Sequence, residues 1–282
     1  MLLVGGVITG CTTIQPNMSE GPPLVVKPIF SHGDFNRVLQ RFVDDRGMVD
    51  YRSLQDDPTD LDTYYRLMAS FSPDSHPEHF PGKDHQLAYW INAYNAAAIK
   101  TVLTHYPITS VLDVRTPALL FFLSDKAGFF FFQRLTFGGQ TTSLYYLENQ
   151  VIRKRFNDPR IHFALNCAAI GCPRLPRQAF SGDALDRQLD DETRLFLSEE
   201  RNFRIDHDGK TVYLSSIFRW YANDFTDWYR QQFPGAPSGL LEYVALYLPP
   251  DQSATLQNVA SDYDIRFIAY DWGLNDRTAS RP

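Results

Sequence analysis

The eleven positions from His162 to Cys172, within the segment IHFALNCAAIGCPRL, hold an imidazole and two thiols. A free thiol titrates near ~8.5. At neutral pH it is therefore a weak nucleophile unless an imidazole, a helix start or an electropositive pocket lowers its pKa. With such help Cys167 or Cys172 would attack a carbonyl, with His162 as the base. Glu148, from a separate segment, would orient that base, and the backbone N–H groups of Ala168 to Gly171 would receive the oxyanion. The reaction would be acyl transfer at an amide, either hydrolysis or transamidation. The same two thiols can instead join. A Cys167–Cys172 disulfide closes a loop of four intervening residues and leaves no nucleophile. A mixed zinc site of His162, Cys167 and Cys172 with Glu148 or His85 is a third chemistry. Its spacing matches no standard zinc pattern, so no metal is assigned.

The elements that must position these residues are also written in the sequence. Residues 84–105 form the clearest helix, with Asp84 as its cap and Pro107 as its stop. Leu87, Ile91, Tyr94, Ala98 and Val102 make one stripe at three- and four-residue steps. Asn95 falls inside that stripe and Asn92 at its edge. A buried amide must find partners, so each is either a clamp on nearby backbone or part of a polar site. Both are carried forward as candidate substrate-binding residues. Residues 143–156 form a second helix capped by Thr142 or Ser143. Glu148 lies on its apolar face, where a carboxylate needs a partner. Arg155 on the same face is the expected one; otherwise Glu148 is an acid, base or orienting group.

Residues 160–167 alternate like a strand, with His162 on one face and Cys167 on the other. Extended, their Cα atoms would stand about 16 Å apart, so they meet only if the strand bends. Cys172 sits near the start of a short turn opened by Pro173, so either thiol can be the reactive one. Further helices are expected over residues 35–43, 61–71, 181–198, 215–233 and 240–248. Strands are expected over 135–139, 203–205, 211–214 and 264–270. Helices and short strands mix without regular βαβ spacing, which gives an α+β class: a single, mostly helical domain packed on a small, largely antiparallel sheet.

The 282 residues are 44% hydrophobic and 14% aromatic, which is ample for a packed core. The net charge is -6 and no long basic run occurs. Nucleic acid is therefore not an expected partner, and no cofactor is implied. Ile8-Thr9-Gly10-Cys11 follows a short apolar run and resembles the lipobox of bacterial lipoproteins. By that resemblance residues 1–10 are a signal, truncated since they lack Lys and Arg, and Cys11 carries the lipid. Residues 11–29 are then a tether and 30–282 the globular domain. The expected setting is the cell envelope, at the outer membrane facing the periplasm, where disulfides persist. Leu119 to Phe132 is split by Asp125 and Lys126 and reads as core strands or a buried loop, not a membrane span.

The pieces GMVDYRSL, LAYWINAYNAAAI, SLYYLENQVIR, DPRIHFALNCAAIGCPRL, LSSIFRWYANDF and YDWGLN resemble, in order, the family catalogued as domain of unknown function 547. After Glu148 that family often has His, and this chain has Asn149. The resemblance implies a family but no reaction. Two classes of function stay open. One is a cysteine-dependent hydrolase or acyltransferase, papain-like or transglutaminase-like, acting on a peptide or envelope polymer. The other is a binding or scaffold protein with a structural disulfide and Trp90, Trp220, Trp228 and Trp272 as platforms.

Overall fold

A helix that is apolar all round has to be buried, and the helix from Gly82 to His105 is buried over most of its surface. The structure is a computed structural model and describes residues 11–18, 24, 26–116 and 124–277. In chain order it holds β1 (Thr12–Thr13), α1 (Gly33–Phe42), α2 (Tyr51–Asp56), α3 (Thr59–Ser70), α4 (Gly82–His105), α5 (Ala127–Phe130), β2 (Gln133–Phe137) and β3 (Gln140–Thr142). Next come α6 (Leu144–Tyr146), a π-helical stretch over Leu147–Ile152, and α7 (Arg153–Phe156), without a break. A 3-10 turn (Pro159–Phe163) leads to the cysteine loop. The remaining elements are α8 (Leu185–Ser198), β4 (Phe203–Asp206), β5 (Thr211–Ser215), α9 (Ser216–Trp220), α10 (Ala222–Gln232), α11 (Leu240–Ala245), α12 (Pro250–Val259) and β6 (Asp264–Ile268).

The expected α+β class is what is found. The strands fall into two sheets, β1–β2–β3 and β4–β5–β6. In each, a local antiparallel hairpin gains a third strand in parallel from a distant segment. That distant, parallel addition is why two mixed sheets stand where one largely antiparallel sheet was expected. Part of the segment read as a tether also docks. Thr12 and Thr13 pair with Gln133 and Arg134, and the Ile14 carbonyl accepts from the Tyr65 hydroxyl at 2.5 Å. The signal over 1–10 and the first part of the Leu119–Phe132 reading lie outside the described residues. The rest of that apolar run forms α5 and the turn into β2.

Two hydrophobic clusters make up the interior. One surrounds α4. The other gathers Phe163, Phe196, Phe218, Phe225 and Tyr243 from the C-terminal half. The stretch from Pro159 to Leu165 runs between them. Ile161, Ala164 and Leu165 face the first cluster and Phe163 the second. This corrects the strand expected over 160–167. Pro159 opens a tight helical turn, and the Asp158 side chain caps it by accepting from the Arg160 N–H at 3.0 Å.

The asparagines of α4 tie this stretch and its sequel to the core. Asn95 donates to the Ala164 carbonyl at 2.9 Å and accepts from the Asn166 N–H at 2.8 Å. Asn92 does the same for one residue, donating to the Phe180 carbonyl at 2.8 Å and accepting from the Phe180 N–H at 3.0 Å. Each carboxamide stands in for a missing backbone partner at a buried site. Asn95→Ala would leave a buried carbonyl and a buried N–H unpaired, at about 1–3 kcal/mol each. Urea unfolding should show a loss on the order of 2–4 kcal/mol; a loss under ~0.5 kcal/mol would mean the clamp contributes little.

Candidate functional site

The stretch after the 3-10 turn carries Cys167, and the loop beyond it returns Cys172 to the same place. Cys167 and Cys172 form a disulfide, with Cα atoms 6.2 Å apart. Ala168, directly after Cys167, adopts a left-handed backbone with φ of 65°, a conformation that costs energy for a residue with a Cβ. The loop is held there from one side by the end of the chain. The Ile170 N–H donates to the Gly273 carbonyl at 2.7 Å, the Gly171 N–H to the Asp271 carbonyl at 2.8 Å, and the Asn275 N–H to the Ala168 carbonyl at 3.0 Å. Gly171 is needed for this approach, since a Cβ there would sit 2.9 Å from the Tyr270 ring and from the Asp271 nitrogen. From the other side Asn166 accepts from the Ala168 N–H at 2.9 Å and donates to the Pro173 carbonyl at 2.7 Å.

These bonds correct one expectation. The N–H groups of Ala168, Ile170 and Gly171 are committed inside the protein, so this loop does not present them to an oxyanion.

The two sulfurs differ in their surroundings. Cys172 is buried, at 2% exposure, whereas Cys167 is half-buried. The Cys167 N–H points at Cys172 Sγ from 3.0 Å. The Tyr270 hydroxyl lies 3.0 Å from Cys172 Sγ and 3.2 Å from Cys167 Sγ. Burial first, then the charge of Glu148, pushes the Tyr270 phenol well above its ordinary range, so it keeps its proton and acts as a donor.

A cleft of about 80 Å³ opens onto both sulfurs. His162 and Glu148 line it too, so the four residues marked as catalytic in the sequence share one hollow. They share it without a hydrogen bond from either His162 or Glu148 to sulfur, among the bonds of the described residues. Glu148 rides on the π-helical stretch, where the Arg153 N–H reaches back five residues to the Glu148 carbonyl. Its carboxylate accepts from the Tyr221 hydroxyl at 2.5 Å and from the Tyr94 hydroxyl at 3.1 Å. Burial, followed by Glu148 itself, raises both phenols well above their usual range. The expected partner, Arg155, pairs instead with Asp74 at 2.5 Å, because the widened π turn carries it away from Glu148. Asn92 and Asn95 do not line the cleft: both ends of each amide are spent on backbone.

His162 is 4% exposed. Its Nε2 lies 2.8 Å from Asp224 Oδ2, and its ring stacks on Tyr221 with centroids 3.9 Å apart. Arg153 grips the same carboxylate with two bonds, at 2.7 and 2.8 Å. Burial lowers the imidazole pKa, and the Asp224 hydrogen bond and the Glu148 charge only partly oppose this. Burial would by itself raise the Asp224 carboxyl. The His162 and Arg153 bonds outweigh it and hold the group below the usual carboxylate range. A neutral imidazole facing a carboxylate acceptor carries its proton on Nε2. The imidazole is held rigidly behind Tyr221 and makes no hydrogen bond to either sulfur among the described residues.

The sequence had not singled out Tyr221, Tyr270, Asp224, Arg153 or Lys126 for a site, and had placed Tyr94 only in an apolar stripe. They arrive from distant segments with no local spacing to announce them. Of the proposed aromatic platforms, Trp220 and Trp272 line the cleft, Trp90 is buried and Trp228 packs on the second cluster. Asn149, at the departure from the family pattern, accepts from Arg153 at 2.5 Å and so braces the grip on Asp224. No three His, Cys, Asp or Glu side chains are grouped to hold a metal ion among the described residues. No helix of these residues is long and apolar enough to cross a membrane.

Residues 77–197 match the family described as "Protein of unknown function, DUF547", which supports the resemblance drawn from the sequence. Neither a curated protein nor a solved structure matches the chain.

A depressed imidazole pKa has a stability consequence with a definite sign. Below the ordinary value of about 6.5 the unfolded chain takes up a proton that the folded one resists. His162 therefore withdraws stability as pH falls through that value towards its folded pKa. The Asp224 contribution is present above the ordinary carboxylate range and is lost only below it. NMR titration of the imidazole nitrogens should show His162 neutral, with the Nε2–H tautomer, at pH 6.5. A His162 that is half-protonated there would contradict this assignment.

Proposed function

We propose that this protein performs thiol–disulfide exchange at Cys167–Cys172, as a lipid-anchored protein of the cell envelope. The observation that carries the exchange reading is the asymmetry of the two sulfurs. Exchange begins when an outside thiolate attacks one sulfur of a disulfide and expels the other. Cys167 is the less buried of the two residues, so its Sγ is taken as the sulfur attacked. The attack forms a bond between the incoming sulfur and Cys167 and breaks the bond to Cys172. The electron pair goes to Cys172 Sγ, where the Tyr270 O–H and the Cys167 N–H receive the new negative charge. A second thiolate then attacks the substrate sulfur of the mixed disulfide. It releases an oxidised substrate disulfide and leaves Cys167 as a thiolate, so the protein gains two electrons and the two thiols lose them. The reverse sequence oxidises a dithiol substrate.

A second reading keeps one specific support. Once reduced, Cys167 would be a nucleophile in a hollow that also holds His162 and Glu148, which suits acyl transfer at an amide. Against that reading, the Ala168, Ile170 and Gly171 N–H groups expected as oxyanion donors are already bonded within the protein. Exchange needs no such donors.

For the anchor, the support is the lipobox-like segment together with an exposed, unpaired Cys11 directly before β1. Thr12 is already paired into a sheet, so an acyl chain on Cys11 would hold the folded domain close to the bilayer surface.

Cysteine variants test the exchange. Cys172→Ser should accumulate a stable mixed disulfide on Cys167 when treated with a small disulfide. Cys167→Ser should leave Cys172 at least about tenfold slower, because buried thiols are poorly accessible. Equal modification of both, or none, would count against an exchange site and favour a structural staple. Membrane fractionation tests the anchor: Cys11→Ser should move the protein from the membrane pellet to the soluble fraction, and an unchanged distribution rejects lipidation.

A further inference from the structure

A second cavity, of about 360 Å³, adjoins the cleft. Phe130, Glu148, Trp220, Tyr221 and Trp272 line both, so the larger cavity is the approach to the sulfurs. Three charged side chains line it. Arg153 is spent on Asp224 and Asn149, and Glu148 is covered by two phenols. Lys126 is different. Its ammonium sits over the Trp220 ring at 4.5 Å and over the Trp272 ring at 4.4 Å. No carboxylate is paired with it among the described residues.

A part-buried cation that has two indoles and, among the described residues, no anion beside it is incompletely compensated. The indoles attract it, but less strongly than a carboxylate at contact distance would. A carboxylate entering the cavity would complete it.

We propose that this outer cavity is a carboxylate subsite, in which Lys126 holds the anionic end of a small thiol or disulfide substrate while its sulfur reaches Cys167. The assignment rests on the exchange reading for the second half of that sentence. The inner cleft admits only a few heavy atoms, so the reacting end must be a slim arm such as a methylene thiol, not a folded chain. The distance between the charge and the sulfur is then set by the substrate, which gives the site its selectivity. Lys126 also covers a face of each indole, which removes those faces from stacking on a sugar ring. Burial, and then the nearby Arg219 charge, lowers the Lys126 pKa; a bound anion would act in the opposite direction.

The test compares 3-mercaptopropionate with 3-mercaptopropionamide as reductants of the folded, oxidised protein. Protein thiols are alkylated after an acid quench and removal of the small thiol, and their appearance is followed by mass at low ionic strength for the wild type and for Lys126→Gln. The intrinsic difference between the two reagents cancels when their rate ratio is compared across proteins. The ratio should fall about tenfold in Lys126→Gln, the size of one charge-assisted contact, and 0.5 M salt should erase the same preference in the wild type. An unchanged ratio overturns the subsite. Quenching of tryptophan fluorescence by propionate, which carries no sulfur, reads the subsite without the exchange. Saturable quenching in the wild type and none in Lys126→Gln supports it. Identical responses of the two proteins overturn it. If propionate binds but neither thiol reduces the native protein, the exchange reading fails, and with it the assignment of sulfur-bearing substrates.

Discussion

Everything at the site depends on the Asn95 carboxamide holding Ala164 and Asn166 against the buried helix α4. The chain between the two hydrophobic clusters has no strand to pair with, so its polar backbone groups would otherwise be buried without partners. Asn95 supplies one donor and one acceptor there, as a neighbouring strand would. Asn166 then passes the constraint on. Its side chain accepts from the Ala168 N–H and donates to the Pro173 carbonyl, so both ends of the cysteine loop are fixed by one residue. With the loop pinned, the chain end from Asp271 to Asn275 can bond along it, and Tyr270 is brought onto the sulfurs.

A second chain of contacts sets the electrostatics of the cleft. Arg153 holds Asp224, Asp224 holds His162, and His162 lies flat beneath Tyr221. Tyr221 donates in turn to Glu148, which Tyr94 holds from the other side. Each buried polar group in this chain has a partner, which is the condition for such a network to rigidify a site instead of weakening it. The outcome is a cleft in which the Tyr270 hydroxyl is the side-chain donor beside the two sulfurs, while the charge of Glu148, in the same cleft, is covered by two phenols. The Tyr270 donor favours a developing thiolate, while His162 is bonded through Nε2 to Asp224 and makes no hydrogen bond to either sulfur among the described residues. That is why exchange between sulfur atoms suits this hollow better than acyl transfer.

Much of the framework was legible in the sequence, for physical reasons. Apolar spacing marked α1, α3, α4 and α8 to within a few residues, and the Asp206–Gly209 turn marked the β4–β5 hairpin. Glu148 and the cysteines were conspicuous because a carboxylate or a thiol on an apolar face must be explained. The stretch from Arg160 to Cys167 was misleading. An apolar run lying between two cores shows alternation whether it is extended or coiled, and the deciding signal was the Asp158 cap with Pro159 behind it. Arg155 was paired wrongly because regular 3.6-residue geometry does not foresee a π turn. Tyr270 and Asp224 reach the site from 103 residues beyond Cys167 and 62 residues beyond His162, and separations of that size leave no periodic trace.

The accessibility of the Cys167–Cys172 bond in the native state is the central claim, and native-state reduction measures it. The rate of reduction by excess dithiol is recorded across urea concentrations below the unfolding transition. A bond attacked within the folded cleft gives a rate constant that stays flat with urea, because no surface need be exposed first. A logarithmic rise whose slope matches the equilibrium unfolding m-value would mean that the bond is reached only through unfolding, and would leave the disulfide as a structural staple.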